Sequence, residues 1–308
     1  MNIYTITLNP AYDVHAYAEH FAPFHENLAS VTSREAGGKG VNLSRALKNG
    51  GTENTAVIVL GKDNCAEFKT ELETAGLSTL LLEKPGRIRE NLTLHCADAP
   101  ETRISFSGFA VDDSLLDEVA ALLDVNADTV ITFTGRVASG MSMNQVKAFL
   151  KDLQAKGAKI VLDSKSFSLE DIFQVQPWLI KPNQEEISEY LGCEIHTIEE
   201  AIEKAQIFAD HHIANVMVSL GEQGAMLLCG GNCYIATPPA ITAISTIGAG
   251  DSSLAGFIAA AQKGCDAAGC LKNAVTYGTA ACLTEGSLPP TAADISAIYA
   301  QVTVKQML

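Results

Sequence analysis

One short segment places a carboxylate among small residues at the start of a predicted helix. The run Thr246–Ser252 lies between a predicted short β segment and the apolar helix Ser253–Gln262. Small residues at a helix start leave N–H groups free to face a ligand, and the helix dipole there favours negative charge. We therefore expect Asp251 to accept the proton of an attacking hydroxyl while the Gly248-Ala249-Gly250 backbone stabilises a transferring phosphoryl group. The structural alternative is an N-cap aspartate at a tight turn.

A second glycine cluster, Glu35–Asn42, opens another predicted helix. Gly38 allows a ligand to lie against the backbone, Lys39 supplies a cation, and Asn42 would face the same side one turn into the helix. The segment lacks the G-x-x-x-x-G-K-[ST] spacing of a Walker A loop. Because such clusters also occur at ordinary helix starts, this segment does not identify a function by itself.

The segment Lys181–Glu186 follows the short apolar strand Trp178–Ile180. Asn183 and Glu186 are three residues apart and would share one face of a helix. Their oxygens are of the kind that suits hydrated Mg²⁺ beside phosphates. The structural alternative is a capping box, with Asn183 as the N-cap and Glu186 as the third helical residue.

A fourth segment, Ser219–Gly224, carries a strand into a turn that Gly221 and Gly224 flank. Strand ends that open into such loops are where open α/β sheets bind nucleotides.

The elements that position these segments alternate between apolar β-branched runs and helical patterns. This order predicts an α/β fold, with a mostly parallel sheet and helices on both faces. The predicted strands are Ile3–Leu8, Thr55–Leu60, Thr129–Phe133, Lys159–Leu162, Val216–Leu220 and Ala225–Cys229. The predicted helices are Val41–Asn49, Cys65–Ala75, Met143–Lys156, Ile198–Ala209, Ala249–Gln262 and Ala267–Leu283.

Two stretches, at about 13–34 and 87–108, interrupt this alternation and read as extended chain. Polar and apolar residues alternate in them, which indicates strands with one solvent-exposed face. We expect them to pair into a small second sheet that forms a lid over the active-site edge. Without internal repeats or a flexible linker, residues 1–308 are expected to form a single domain with this inserted lid.

The composition limits the classes of partner. Hydrophobic residues make up 47% of the chain, and the formal net charge is −15. A nucleic-acid surface needs a basic face, so this charge argues against one. No apolar run is long enough to span a membrane and no signal peptide is recognisable, so we expect a cytoplasmic protein. The eight cysteines include no C-x-x-C pair, which disfavours a zinc site.

Taken together, these motifs resemble the ribokinase/PfkB family of carbohydrate kinases over nearly the whole chain, from Thr5 to about Gly286. The resemblance rests on the order and spacing of Asn9–Asp13, Gly37–Asn42, Asn183–Glu186, Ser219–Gly224 and Gly248–Asp251. Stretches most similar to the kinases of fructose 1-phosphate are Thr5–Asp13, Leu60–Asn64, Phe106–Phe109 and Pro177–Asn183. Arg89–Leu92 and Ser219–Ala225 are equally similar to the tagatose 6-phosphate and minor fructose 6-phosphate kinases.

The resemblance implies a Rossmann-like fold with a β-lid that often pairs in homodimers, and ATP and Mg²⁺ as co-substrate and metal. It also implies a role for each matching residue. Those roles are the catalytic base for Asp251, the anion hole for Gly248, Ala249 and Gly250, and the sugar site for Asp13, Gly38, Lys39 and Asn42. Arg89 and Arg103 would bind the phosphate of the sugar. Lys181, Asn183, Ser219, Gly221 and Gly224 would bind ATP, and Glu186 would hold Mg²⁺ through water.

Two positions depart from the family pattern. Arg136 stands in Thr134–Gly140, where related phosphosugar kinases usually have a serine–glycine–serine–leucine–proline turn, and Lys165 stands where a small residue is usual. Both add positive charge near the expected site. Arg136 is expected to contact the phosphate of the substrate, and the alternative is a surface ion pair with a neighbouring carboxylate.

The expected reaction is transfer of the γ-phosphoryl group of ATP to a hydroxymethyl group of a ketose phosphate, with fructose 1-phosphate preferred. Tagatose 6-phosphate and fructose 6-phosphate stay open, because a flipped furanose ring presents its other hydroxymethyl group to Asp251. An unphosphorylated substrate is disfavoured, since it would leave Arg89 and Arg103 nothing to neutralise. A catalytically silent sensor of nucleotide or sugar is disfavoured by the intact Asp251 and its glycines.

Overall fold

The computed structural model describes residues 2–98 and 100–307. The strands are β1 (Asn2–Thr7), β2 (Ala11–Ala18), β3 (Ser30–Gly37), β4 (Thr55–Gly61), β5 (Ser78–Lys84), β6 (Arg89–Cys96), β7 (Thr102–Ser105), β8 (Thr129–Thr134), β9 (Lys159–Asp163), β10 (Leu179–Ile180), β11 (Asn215–Ser219), β12 (Ala225–Cys229), β13 (Asn232–Thr237) and β14 (Thr303–Gln306). The helices are α1 (Lys39–Asn49), α2 (Cys65–Thr74), α3 (Ser114–Ala121), α4 (Met143–Ala155), α5 (Leu169–Val175), α6 (Gln184–Leu191), α7 (Ile198–Asp210), α8 (Ala249–Gln262), α9 (Ala267–Ala281) and α10 (Ala292–Tyr299). None of the helices in these two ranges has the length and apolarity needed to cross a bilayer.

Ten strands form one large sheet in the order β14-β13-β12-β11-β10-β9-β8-β1-β4-β5. The strands from β11 to β5 are parallel, and β12 to β14 continue the sheet as antiparallel neighbours. The central strand β8 is buried along its whole length, as a parallel strand covered on both faces requires. The α/β fold with a mostly parallel sheet is therefore confirmed.

The helices cover both faces of the large sheet. One apolar core joins the sheet to α1, α8, α9 and α10, and the other joins it to α3 through α7. Helix α8 is buried along most of its length, with Leu254, Phe257 and Ile258 among its core residues. This helix is consequently held rigidly against the sheet, and its first turn carries Asp251.

The four remaining strands form a small sheet in the order β3-β2-β6-β7. This confirms that the two predicted extended stretches pair with each other, although residues 19–29 form a loop between β2 and β3. Tyr12 of β2 ties the small sheet to α2. Its hydroxyl donates to the carbonyl of Asn64 at 2.7 Å and accepts from the Phe68 N–H at 2.9 Å.

The predicted bounds of the elements lie within two residues of the observed ones. Three strands, β5, β13 and β14, and three helices, α3, α5 and α10, were not predicted, whereas the helix start considered at Asn183 corresponds to α6. The short β segment expected before Thr246 was wrong, because residues 238–248 contain no helix or strand.

Candidate active site

A cavity of about 490 Å³ lies at the carboxyl ends of β1, β8 and β9, beside the small sheet. Ligand sites of open α/β sheets occupy this edge. Twelve of the residues predicted from the sequence line this cavity, although they come from distant parts of the chain. They are Asp13, Gly38, Lys39, Asn42, Arg89, Arg103, Arg136, Lys181, Asn183, Gly248, Gly250 and Asp251.

Five predicted residues do not line this cavity: Ala249, Ser219, Gly221, Gly224 and Glu186. Ser219 nevertheless lies next to the cavity wall, because its N–H donates to the Pro182 carbonyl at 3.1 Å and it pairs with Asn183. Gly221 and Gly224 flank the turn that follows β11. The segment Ser219–Gly224 therefore begins beside Asn183, at one end of the cavity.

Asp251 is the third residue of α8, and its side chain is buried. The N-cap is Gly248, whose φ of 76° is in the left-handed region that favours glycine. The alternative of Asp251 as an N-cap is therefore wrong. One oxygen of Asp251 accepts from Asn42 Nδ2 at 3.2 Å. Burial raises the pKa of Asp251 to about 6, against the opposing effect of Lys39.

The first turn of α8 also offers hydrogen-bond donors to a ligand. Within residues 2–98 and 100–307, the N–H groups of Gly250 and Asp251 have no protein acceptor. Gly250 allows a close approach here, because a Cβ at this position would stand 3.2 Å from Lys181 Nζ. The free N–H groups, the helix dipole and the ammonium of Lys181 together favour an anion beside Asp251.

Asp163, at the end of β9, links the two lysines of the cavity floor. It accepts from Lys39 Nζ at 2.9 Å and lies 3.9 Å from Lys181 Nζ. Burial alone would raise its pKa, but Lys181 and Lys39 hold the pKa of Asp163 below its usual range. We did not predict this residue as part of the site. Its position directly after an apolar strand was the signal that the sequence offered.

The wall formed by the small sheet carries a chain of polar contacts. Arg89 donates to Asn91 Oδ1 at 2.9 Å, and Asn91 Nδ2 donates to Asp13 Oδ1 at 2.9 Å. Burial lowers the pKa of Arg89 despite Asp13, and the positive charge of Arg136 lowers it further. Arg136 has no ion pair within the described ranges, which argues against the surface-pair alternative.

Buried polar atoms without a hydrogen bond are concentrated in this cavity. Nine such side-chain atoms occur among the described residues, and five line the cavity: Thr7 Oγ1, Asn42 Oδ1, Arg89 Nε, Thr134 Oγ1 and Asp163 Oδ2. Buried polar groups in proteins are nearly always satisfied, so this concentration indicates a polar ligand. Six of the 21 Lys and Arg residues line the same cavity, in a chain of net charge −15. The ligand is therefore expected to be an anion.

Asn183 and Glu186 form the capping box that was the structural alternative for this segment. Asn183 Oδ1 accepts from the Glu186 N–H at 2.7 Å, and Glu186 Oε2 accepts from the Asn183 N–H at 3.1 Å. The other oxygen, Glu186 Oε1, takes no part in the box and lies 3.6 Å from Lys165 Nζ. Glu186 and Asp163 border an adjoining pocket of about 20 Å³, the size of a water molecule. The capping box occupies only one oxygen of the Glu186 carboxylate, so Oε1 stays available to a ligand.

Comparison with known proteins gives consistent results. The family description "pfkB family carbohydrate kinase" matches residues 6–293. The 1-phosphofructokinase of Escherichia coli strain K12 is 32% identical over 256 residues, which cover 82% of this chain and 82% of the relative. Phosphofructokinase-2 from Escherichia coli, in complex with substrates and products, has a TM-score of 0.91 at 25% identity and covers 97% of this chain and 99% of its own. The tetrameric inhibited form of that enzyme has a TM-score of 0.85 at 25% identity, with 97% and 98% covered.

Proposed function

Because the chain belongs to the pfkB family of carbohydrate kinases, we propose that it phosphorylates fructose 1-phosphate to fructose 1,6-bisphosphate. Family membership makes it a phosphotransferase with an alcohol acceptor and ATP as co-substrate. The observation that carries the substrate proposal is that six cationic side chains line the same cavity as the buried Asp251. The similarity to a 1-phosphofructokinase supports the choice of sugar.

In the proposed mechanism, the phosphate of the sugar binds at the arginines of the small-sheet wall. Arg89 and Arg103 belong to the small sheet, and Arg136, on the loop after β8, lies close enough to lower the pKa of Arg89. The Nε of Arg89 is buried without a hydrogen-bond partner. Asp13 accepts hydrogen bonds from the sugar hydroxyls. Asn42 accepts hydrogen bonds from these hydroxyls or donates to them. The free hydroxymethyl group then lies beside Asp251, which takes its proton as the oxygen attacks the γ-phosphorus. The bond from this phosphorus to the β,γ-bridging oxygen breaks, and ADP leaves.

The opposite wall is proposed to bind the phosphates of ATP. The N–H groups of Gly250 and Asp251 and the ammonium of Lys181 stabilise the charge on the transferring phosphoryl group. Gly248 and Ala249 complete the anion hole, since they set the geometry of this helix start. The rest of the nucleotide extends past Asn183 along Ser219, Gly221 and Gly224.

The residues near Lys181 also fit a hydrated Mg²⁺ ion. Glu186 Oε1 lies outside the capping box, and Asp163 Oδ2 is buried without a hydrogen bond. Both are carboxylate oxygens, which this ion prefers, with water completing its shell. We propose that Glu186 holds Mg²⁺ through water, where the ion would neutralise charge on the phosphates of ATP.

We propose that residues 1–308 act as a single kinase domain, with the small sheet as its lid, and that two copies pair through this lid. Eleven large hydrophobic side chains are exposed among the described residues, and six belong to the small sheet or its adjoining loops. These six are Tyr17, Phe24, Leu28, Val31, Ile104 and Phe106. Exposed apolar groups concentrated on one element favour a protein interface. Residence in the cytoplasm stays a prediction from the sequence.

The test of the substrate is an assay with ATP, Mg²⁺ and each of the three ketose phosphates, with products identified by ³¹P NMR. We expect fructose 1-phosphate to give the highest kcat/KM and fructose 1,6-bisphosphate as product. Unphosphorylated fructose serves as the control for the arginine wall. A higher kcat/KM for fructose 6-phosphate or tagatose 6-phosphate would reassign the substrate within the same family.

A further inference from the structure

Lys165 differs from the other two lysines of the cavity in how it is held. Lys39 and Lys181 both face the buried carboxylate of Asp163. Lys165 is instead 53% exposed, and its ammonium lies 3.6 Å from Glu186 Oε1. That distance is too long for a good hydrogen bond, and solvent around the exposed Lys165 weakens the ion pair, although Glu186 itself is mostly buried. The Lys165 ammonium is consequently free to exchange its partner.

The loop that carries Lys165 is fixed even though the side chain is loosely held. Ser166 Oγ accepts from the Val137 N–H at 3.0 Å, and the Asp163 carbonyl accepts from the Gly135 N–H at 3.0 Å. These two contacts clamp the loop against the neighbouring loop that bears Arg136. Lys165 therefore lines the cavity from a defined position, together with Asn183.

We propose that Lys165 binds the polyphosphate of the nucleotide, and that Glu186 holds its ammonium only until the nucleotide arrives. This inference rests on the proposed function. A phosphate carries more negative charge than a carboxylate, so it is the stronger partner for a mobile ammonium. Transfer of Lys165 to the phosphates would also release Glu186 Oε1 for a hydrated divalent ion. Lys165 and Mg²⁺ thus compete for one carboxylate oxygen and act on the same phosphates.

Because Lys165 and Mg²⁺ both neutralise the phosphates, Lys165 should contribute most to ATP binding when Mg²⁺ is absent. Calorimetric titration of Lys165→Ser with ATP in EDTA should show a Kd about tenfold higher than that of the wild type. With saturating Mg²⁺ the difference should shrink to less than about threefold, because the metal takes over part of the neutralisation. Lys165→Arg keeps the charge and should keep the wild-type affinity. Lys151→Ser, on the exposed side of α4, is the matched control.

A second variant tests the exchange itself. Glu186→Gln removes the competitor for the ammonium, so ATP in EDTA should bind a few fold more tightly, which is opposite to the effect of Lys165→Ser. A Kd for Lys165→Ser within twofold of the wild type in EDTA would overturn this inference alone. Absence of ATP binding by the wild-type chain would overturn the proposed function as well, so the two failures are distinguishable.

Discussion

The carboxylate of Asp251 has a pKa suited to a general base near neutral pH. Burial raises this pKa to about 6, whereas an ordinary aspartate has a value of 3.8. Only the deprotonated form accepts a proton, so activity requires a pH above this value. We predict that kcat/KM for the phosphosugar falls about tenfold per unit below about pH 6. Steady-state rates across pH 5 to 9 measure this acid limb.

A variant of Asn42 distinguishes Asp251 from the substrate phosphate, which also titrates in this range. The hydrogen bond from Asn42 favours the charged form of Asp251, so its loss raises the pKa of this carboxyl further. In Asn42→Ala the acid limb should therefore move to higher pH. If the limb stays where it is in the wild type, it reports the phosphate and not Asp251.

The two cavity arginines of the small sheet, together with Arg136 on the loop after β8, should bind the phosphosugar and not ATP. A charge-assisted contact to phosphate contributes about 1.5–3 kcal/mol. We predict that Arg89→Ala, Arg103→Ala and Arg136→Ser each raise KM for the phosphosugar about tenfold or more, with KM for ATP nearly unchanged. Arg87→Ala, an exposed arginine outside the cavity, is the matched control. Equal effects on both substrates would indicate that the arginines stabilise the fold around the cavity instead.

Residue patterns predicted those parts of the site that lie in recognisable local motifs. The helix start around Asp251 and the glycines before Lys39 carry their signal within a few residues. Asp163 was missed because its partner Lys39 is 124 residues away in sequence, and only the order of strands β1, β8 and β9 brings them together. Contacts of this range depend on topology, which local spacing does not encode.

At the scale of elements, the small sheet is attached to the body through Tyr12. Its hydroxyl makes two hydrogen bonds to α2 and the residue before it, and its ring packs edge-on against Phe68. We predict that Tyr12→Phe lowers the free energy of unfolding by about 1–3 kcal/mol, because it leaves a buried donor and a buried acceptor unpaired. Urea denaturation measures the loss. Tyr17→Phe, on the exposed side of the same strand, should cause no change, and a similar loss there would contradict the argument.

Element prediction succeeded where burial is continuous and failed where it is partial. Strands such as β8 are buried throughout and rich in β-branched residues, because helices cover both faces. Strand β13 is only partly buried and the edge strand β14 is mostly exposed, so their sequences lack this signature. The short helix α5 has too few turns for a clear period, although it begins with a capping box, and the extent of α6 could be read only from its capping box.

At the scale of the whole molecule, the exposed apolar side chains of the small sheet are expected to form the interface between two copies of the chain. We predict that the wild-type chain is a dimer and that Val31→Asp with Ile104→Asp makes it monomeric, since buried unpaired charges oppose association. Size-exclusion chromatography with light scattering measures the mass. Met307→Asp, an exposed apolar residue outside the small sheet, is the control. An unchanged mass in the double variant would place the interface elsewhere.

The central claim is that Asp251 is the base of a kinase site formed by distant parts of the chain. The most direct test is the turnover of Asp251→Asn with ATP, Mg²⁺ and fructose 1-phosphate, alongside calorimetric binding of both substrates. Asparagine has nearly the same shape but cannot take the proton, so kcat should fall about 10²–10⁴-fold while both Kd values stay within about threefold. A variant that retains more than about a tenth of the wild-type kcat would contradict the claim.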